Sequence, residues 1–247
     1  MPKFKITDML VKLELANDIK HAEALVLSGK VYANGIKVNK AGDMLNDTAD
    51  ITIKNPKGHS WVSRGGMKLD HGLKYFKINV KDFIAVDIGS STGGFTDVLL
   101  NNGASKVYAV DVGYGELAWK LRQDSRVVVH ERTNARYINN EIVTEQPDII
   151  VCDASFISLK MVLPATMALA KSGTVLIALI KPQFEVQKHE VGKGGIIKDP
   201  LLHQRVCDEI STWFLEYSGW QIMGITQSPI LGADGNKEFL LGGRYSE

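Results

Sequence analysis

FIAVDIGSSTGGFTDVLL, residues 83–100, runs from an apolar stretch of strand length through a glycine-rich turn into an apolar stretch of helix length. An apolar run without polar alternation reads as a strand buried on both faces, and a helix directly behind it begins a βαβ unit. Its glycines let the backbone pass close to a ligand, and the helix that follows offers unpaired N–H groups and a positive dipole end. Toward the C-terminus, further strands read at KVYAVDVG (106–113), VVVHE (127–131), DIIVCD (148–153) and TVLIALIK (174–181), with helices fitting between them. That alternation predicts an α/β fold, a doubly wound, mostly parallel Rossmann-like sheet. A last helix, 201–217, precedes WQIMGITQS and KEFLLGG, two strand-like runs with no helix between them. They predict an antiparallel closing pair.

Toward the N-terminus the periodicity changes. Ile6, Met9, Leu10 and Leu13 fall on one helical face, and Ala22, Leu25 and Val26 repeat it, which predicts two short helices. Asn17 and Asp18 would cap the second, and Gly29 would end it. KVYA and IKVN flank Asn34-Gly35, a hairpin signal because both turn positions need positive φ. Ile51 to Lys54 reads as another extended run. A unit of this size has a thin core, so it is expected to work as an attached module. With the polar stretch NPKGHSWV (55–62) as the connection, the chain divides into a small α+β domain at 1–57, a linker at 58–62 and the α/β domain at 63–247.

With 247 residues, 45% hydrophobic and 23% charged, the chain is globular, and fibrous, disordered and coiled-coil classes are excluded. Its formal net charge is +1, so contact with a nucleic acid must rest on local positive charge. The longest apolar run, Val175 to Ile180, is far short of the ~20 residues of a membrane span. The first twenty residues are broken by charge every few positions, so neither a signal peptide nor a membrane role is expected. Cys152 and Cys207 read as free thiols in apolar stretches, which suits a reducing cytoplasm, and the six histidines lack metal-ligand spacing, so no metal is expected.

Asp111 ends the second strand of the α/β domain, 24 residues after Asp87, near the spacing at which a carboxylate accepts both ribose hydroxyls of a nucleotide. An adenosine-containing cofactor is implied. The loop Gly89, Ser90, Ser91, Thr92, Gly93, Gly94, Phe95 matches neither GxGxxG nor the GK[ST] ending, so it suits neither a dinucleotide nor the phosphates of ATP. Asp87 before the first glycine favours a cationic cofactor such as S-adenosylmethionine. The bland alternative is that the glycines only make a tight turn. Gly89 to Gly93 is also formally G-x-S-x-G, which would make Ser91 the nucleophile of a serine hydrolase. That reading needs a later histidine, with only His189 and His203 beyond Asp153, and strands before the turn, where the α/β domain has none.

The strings VSRGGMKL (62–69), VDIGSSTGGFTDVLL (86–100), YAVDVGYGELAWKLRQDSRV (108–127), ERTNARY (131–137), DASFISL (153–159), LIKPQFE (179–185) and SPILGADGNKEFLL (228–241) resemble the TlyA family, often labelled haemolysins. The catalytic part of that family is similar to FtsJ-like ribose 2′-O-methyltransferases, and the resemblance covers nearly the whole chain. It implies an S-adenosylmethionine-dependent methyltransferase fold acting on a ribose 2′-hydroxyl of ribosomal RNA, with a cytidine as the suggested nucleotide. It also implies an N-terminal RNA-binding domain of the ribosomal protein S-four type, and ribosomal RNA or ribosomal subunits as partners. FtsJ-like enzymes carry a Lys-Asp-Lys-Glu tetrad, matched here by Lys68, Asp153, Lys181 and Glu238. By the same resemblance Asn134 would contact the adenine.

Independently of the resemblance, Asp153 and Lys181 stand at the carboxyl ends of parallel strands, the edge where open α/β sheets bind ligands. A ribose hydroxyl is too weak an acid to react unaided, so the site must help its proton leave while the methyl group is held in line. Within the tetrad that the resemblance implies, the assignment is Lys181 as the group that takes or polarises the proton, Lys68 as the stabiliser of the developing oxyanion, and Asp153 and Glu238 as the groups that orient both. Phe184, in the polar, glycine-containing stretch 182–198, could stack on a flipped base or anchor that stretch, which reads as a lid or as a surface loop. No arginine precedes Arg64, and residues 1–57 hold nine lysines against seven acids. RNA contacts would come from Lys20, Lys30, Lys37 and Lys40 as point charges, joined by Arg64. A non-catalytic RNA-binding or ribosome-assembly factor on the same fold is the rival reading. Lysis, for which the short amphipathic helices offer no membrane-facing stripe, is expected to be indirect.

Overall fold

A computed structural model describes residues 3–13, 15–16, 18–53, 61–232 and 234–246. The chain forms two compact units, Met1–Ser60 and Trp61–Glu247. Of the residues read as linker, 58–60 lie outside the described ones, as does Lys54.

The smaller unit runs β1 (Lys3–Lys5), α1 (Ile6–Lys12), α2 (Ile19–Leu27), β2 (Val31–Ala33), β3 (Ile36–Lys37), β4 (Met44–Asn46) and β5 (Ile51–Ile53). Its core joins Ile6, Met9 and Leu10 of α1 and Ala22 and Val26 of α2 to Val31, Ala33, Val38 and Ile51. Leu13 is exposed, because α1 ends one residue before it. Asp18 caps α2 by accepting the His21 amide at 2.7 Å, while Asn17 lies outside the described residues. Gly29 closes α2 with φ +67°, and Asn34 and Gly35 both take positive φ between β2 and β3. β5 pairs antiparallel with β2, which gives the sheet order β3-β2-β5. β1 pairs antiparallel with β4, a ribbon absent from the sequence reading. No residue of either strand is buried, so no alternation of apolar and polar residues marks them.

The larger unit begins with α3 (Gly66–Tyr75), then β6 (Ile84–Ile88), α4 (Gly94–Asn101), β7 (Lys106–Val110), α5 (Trp119–Arg122), β8 (Val127–His130), β9 (Ile149–Cys152), α6 (Leu159–Val162), α7 (Pro164–Met167), β10 (Val175–Ile180), α8 (Pro182–Glu185), α9 (Pro200–Phe214), β11 (Trp220–Gln227) and β12 (Phe239–Tyr245). Its sheet has the order β11-β12-β10-β9-β6-β7-β8. The five strands from β10 to β8 are parallel, and β12 joins β10 and β11 antiparallel, as the missing helix between the last two runs predicts. β10 explains the continuous apolar runs: Leu176, Ala178 and Ile180 pack under α6, α7 and α9, while Val175, Ile177 and Leu179 pack under α3, α4 and α5. α3 has no counterpart in the sequence reading. Its two glycines weaken a helical pattern, yet Gly72 has a packing reason, since a Cβ there would stand 3.3 Å from Ile177 Cγ2 of β10.

Register then sets the working edge. Ile88 lies level with Cys152 and with Val110, and Cys152 with Ala178, so the chain leaves β6, β7, β9 and β10 along one carboxyl-end rim. The antiparallel pairing of Ile180 with Phe239 brings Glu238, one residue before β12, to the same rim as Lys181, one residue after β10.

Candidate functional site

At that rim four ionisable side chains form one chain of contacts. Lys68, in the first turn of α3, has Nζ 2.7 Å from Glu238 Oε2 and 3.5 Å from Asp153 Oδ2. Lys181 has Nζ 2.7 Å from Asp153 Oδ1. Both 2.7 Å contacts lie off the hydrogen-bond axis, so Asp153 Oδ1 and Glu238 Oε2 are buried oxygens met by charge rather than by an aligned N–H. Lys181 makes its aligned bonds to the Asp153 carbonyl at 3.2 Å and to Ser155 Oγ at 2.7 Å. The lysine side chains are 8% and 7% exposed, so their charges reach a ligand from a largely desolvated wall where electrostatic effects are strong. All four residues line a cleft of about 420 Å³, together with Ser90, Thr92, Gly94 and Phe95 of the glycine loop and with Arg64 and Phe184.

A second cleft of about 480 Å³ shares Gly89, Ser91, Asp153, Ser155 and Phe156 with the first as a common wall. Asp111, Glu116 and Asn134 line it beside the aliphatic groups of Val110, Ala135 and Ile157. Asp111 is fixed by its own loops, accepting the Ser91 amide at 2.8 Å and the Gly113 amide at 2.7 Å. Asn134 caps the short turn Ala135–Tyr137 by accepting the Arg136 amide at 3.1 Å. An apolar slot edged by carboxylates and a carboxamide suits the adenosine and cationic groups of S-adenosylmethionine. Ser91, with φ +45°, donates its hydroxyl to Glu116 at 3.0 Å, and no histidine lines either cleft among the described residues. His203 instead contacts the Ile197 carbonyl at 3.2 Å within the core.

Two of the residues expected at the cofactor, Asp87 in β6 and Gly93 in the glycine loop, do not line these clefts. Asp87 is fully buried, accepting the Thr96 hydroxyl at 2.6 Å on Oδ2 while Oδ1 has no hydrogen-bond partner. Burial pushes its carboxyl up to about 7, partly opposed by the Thr96 hydroxyl and reinforced by the charge of Asp153. Gly93 caps α4 with φ +93°, and a Cβ there would stand 2.2 Å from Leu121 Cδ1. Gly94 serves chain packing too: its Cβ would meet Ser63 Oγ at 2.3 Å and the Gly66 amide nitrogen at 2.9 Å, so it lets the 63–66 turn that leads to Lys68 lie on α4.

Several residues at the site escape the sequence reading. Phe156 takes φ +63°, is 88% exposed, and meets Phe184 ring to ring at 5.1 Å. An exposed aromatic on left-handed backbone is a strained arrangement of the kind found at functional sites. Glu185 joins the chain leaving β10 to the chain leaving β9, accepting the Ser158 hydroxyl at 2.5 Å and the Leu159 amide at 2.8 Å. Burial raises its carboxyl above the usual range. The polar stretch after α8 is anchored: Asn236 holds the Ile197 amide and the Gly195 carbonyl at 2.9 Å each, and Arg205 pairs with Glu190 at 2.6 Å. Lys20, Lys37 and Lys40 are exposed and Lys30 half-buried, all in the smaller unit. Among the described residues no group of three or more His, Cys, Asp or Glu could hold a metal ion, and no helix is long and apolar enough to cross a membrane.

Comparison with known proteins shows the family of the chain. TlyA of Mycobacterium tuberculosis, a 16S/23S rRNA (cytidine-2′-O)-methyltransferase, is 44% identical over 232 residues, covering 94% of this chain and 86% of that protein. Hemolysin A of Brachyspira hyodysenteriae is 42% identical over 221 residues, covering 89% and 90%. The solved structure of a protein described as a hemolysin from Streptococcus thermophilus matches with TM-score 0.75 at 39% identity, covering 100% of this chain and 90% of the other. Residues 61–245 match the family model of FtsJ-like methyltransferases. By its family match, its relatives and its fold, the chain belongs to the FtsJ-like methyltransferase family, within the group that includes TlyA.

Proposed function

We propose that the protein transfers a methyl group from S-adenosylmethionine to the 2′-hydroxyl of a cytidine ribose in ribosomal RNA, acting on RNA or ribosomal subunits in the cytoplasm. The observation that carries this reading is the contact chain Glu238–Lys68–Asp153–Lys181 in a cleft that shares a wall with the Asp111 slot. The name of the relative from M. tuberculosis supports the nucleotide and the atom.

Asp111, Asn134 and the Gly89–Ser91 backbone would hold the cofactor, which when bound supplies an electrophilic methyl on a positively charged sulfur. As the O–C bond forms and the S–C bond breaks, the ribose proton passes to solvent water at the open cleft, while Lys181 stabilises the negative charge that develops on the ribose oxygen and Lys68 adds a second positive charge from the Glu238 side. Three protein oxygens surround the Lys181 ammonium, which favours the polarising role over the proton-taking one. Asp153 and Glu238 hold the lysines in place. Phe184 and Phe156 offer faces on which a flipped base can stack, Arg64 a guanidinium at the cleft mouth, and Lys20, Lys30, Lys37 and Lys40 phosphate contacts from a separate RNA-binding domain.

The test is transfer of labelled methyl from S-adenosylmethionine to purified, unmethylated ribosomal subunits and to their naked RNAs, comparing wild type with Lys181→Ala. Wild type should label a cytidine, and the substitution should cut the rate by roughly 10²-fold or more while cofactor affinity holds. Cofactor and RNA binding without transfer would overturn the catalytic reading in favour of a binding factor.

A further inference from the structure

We infer that Ser155 is a further catalytic residue: its hydroxyl, and not the Lys181 ammonium itself, makes the contact with the attacking ribose oxygen. The inference rests on the methyl-transfer reading above and deepens it.

Lys181 Nζ donates aligned bonds to the Asp153 carbonyl at 3.2 Å and to Ser155 Oγ at 2.7 Å, and the charge of Asp153 Oδ1 at 2.7 Å holds the ammonium on that side. Its side chain is 7% exposed. Ser155 lies on the exposed segment that follows β9, and it lines both clefts, whereas Lys181 lines only the first. Ser155 therefore stands exposed on the wall that the two clefts share, next to the largely buried lysine. Ser155 Oγ accepts from Lys181, which leaves the hydroxyl hydrogen of Ser155 to donate, and among the described residues no acceptor takes it. Lysine to serine to ribose oxygen is then a donor chain, in which the ammonium polarises the serine hydroxyl and strengthens its bond to the developing negative charge. Serine itself gains and loses no proton in this role, and the ribose proton passes to solvent water at the cleft. It delivers the charge of a lysine that the fold has buried.

The experiment uses the full chain with ribosomal RNA. Ser155→Ala should lower kcat about 100-fold, with KM for RNA unchanged, because the lost bond is made only as charge develops. Ser155→Thr keeps the hydroxyl on an exposed segment and should restore turnover, and Ser155→Cys, a weak donor, should not. Wild-type kcat in Ser155→Ala would overturn the proposal and make the serine only a stand-in for the substrate hydroxyl; so would a change confined to KM. A second arm needs no turnover. Acetic anhydride labelling of Lys181, read by mass spectrometry, should speed up in Ser155→Ala because one acceptor of its ammonium is gone, and an unchanged rate would refute the contact. If wild type labels no RNA, the methyl-transfer reading fails by that result, while the labelling arm still reports on Ser155.

Discussion

Asp87 brings a pH dependence into the fold. In the unfolded chain it titrates near 3.8, and in the folded protein near 7, because burial disfavours the carboxylate and the Thr96 hydroxyl offsets only part of that. Between those values the folded protein binds more protons than the unfolded one, so stability is lost as pH rises from about 4 to 7. The full effect is up to about 4 kcal/mol. Asp87→Asn keeps an acceptor for Thr96 and removes the titration, so its stability relative to wild type should climb across that window. Urea unfolding at pH 4.5, 6 and 8 checks this, and a difference constant with pH would refute it. The same residue marks what can be read from a sequence at this scale. The places of Asp111, Asp153 and Lys181 were legible because a residue at a strand end has a fixed place on the carboxyl-end rim, whereas Asp87 lies inside β6 and is buried. Phe156 and Ser155 were not, because their importance lies in a left-handed backbone angle and in a 2.7 Å contact to a residue 26 positions away, and neither leaves a periodic signal.

At the scale of elements, the site is assembled by register and by close approach. Strand pairing alone brings Asp153, Lys181 and Glu238 to one rim, but Lys68 arrives on α3, whose preceding turn lies on the start of α4. The Val62 amide donates to Asp97 of α4 at 2.8 Å, and Lys120 of α5 secures the same carboxylate at 2.9 Å. Gly94 makes the approach possible. Gly94→Ala should destabilise the protein by about 1–3 kcal/mol, since a methyl 2.9 Å from the Gly66 backbone nitrogen cannot be relieved by turning a side chain. Because the strain displaces the turn that carries Lys68, methyl transfer should fall further than the folded fraction does. Denaturant midpoint and turnover on the same sample separate the two losses, and equal losses would show that Lys68 had not moved. Buried elements such as β10 were legible from their apolar runs. β1 and β4 were silent because nothing in them is buried, and α3 because its glycines, chosen for proximity to β10 and to Trp61, dilute its helical pattern.

For the whole molecule, charge divides the work. The formal net charge of +1 leaves no general attraction to RNA, and the smaller unit offers lysines but no arginines, so the phosphate contacts proposed for it are point-like and strongly screened by salt. Replacing Lys20, Lys30, Lys37 and Lys40 together by Gln in the full chain removes those charges, and surface changes of this kind cost a domain little stability. If all four neutralise phosphates, affinity for ribosomal RNA should fall at low salt and the slope of log K against log salt should become shallower by about 3, since each contact contributes about 0.7 to 0.9. Cofactor binding should not change, because the Asp111 slot is built wholly from the larger unit. Binding isotherms at four salt concentrations give the slope directly. An unchanged slope would move RNA recognition to the larger unit, where Arg64 stands at the cleft mouth, Arg132 lies 4.1 Å over the Tyr114 ring and Arg136 lies 5.3 Å over that of Tyr137. Recognition would then depend on planar guanidinium groups backed by aromatic faces, and its salt dependence would be carried by the unit that also holds the tetrad.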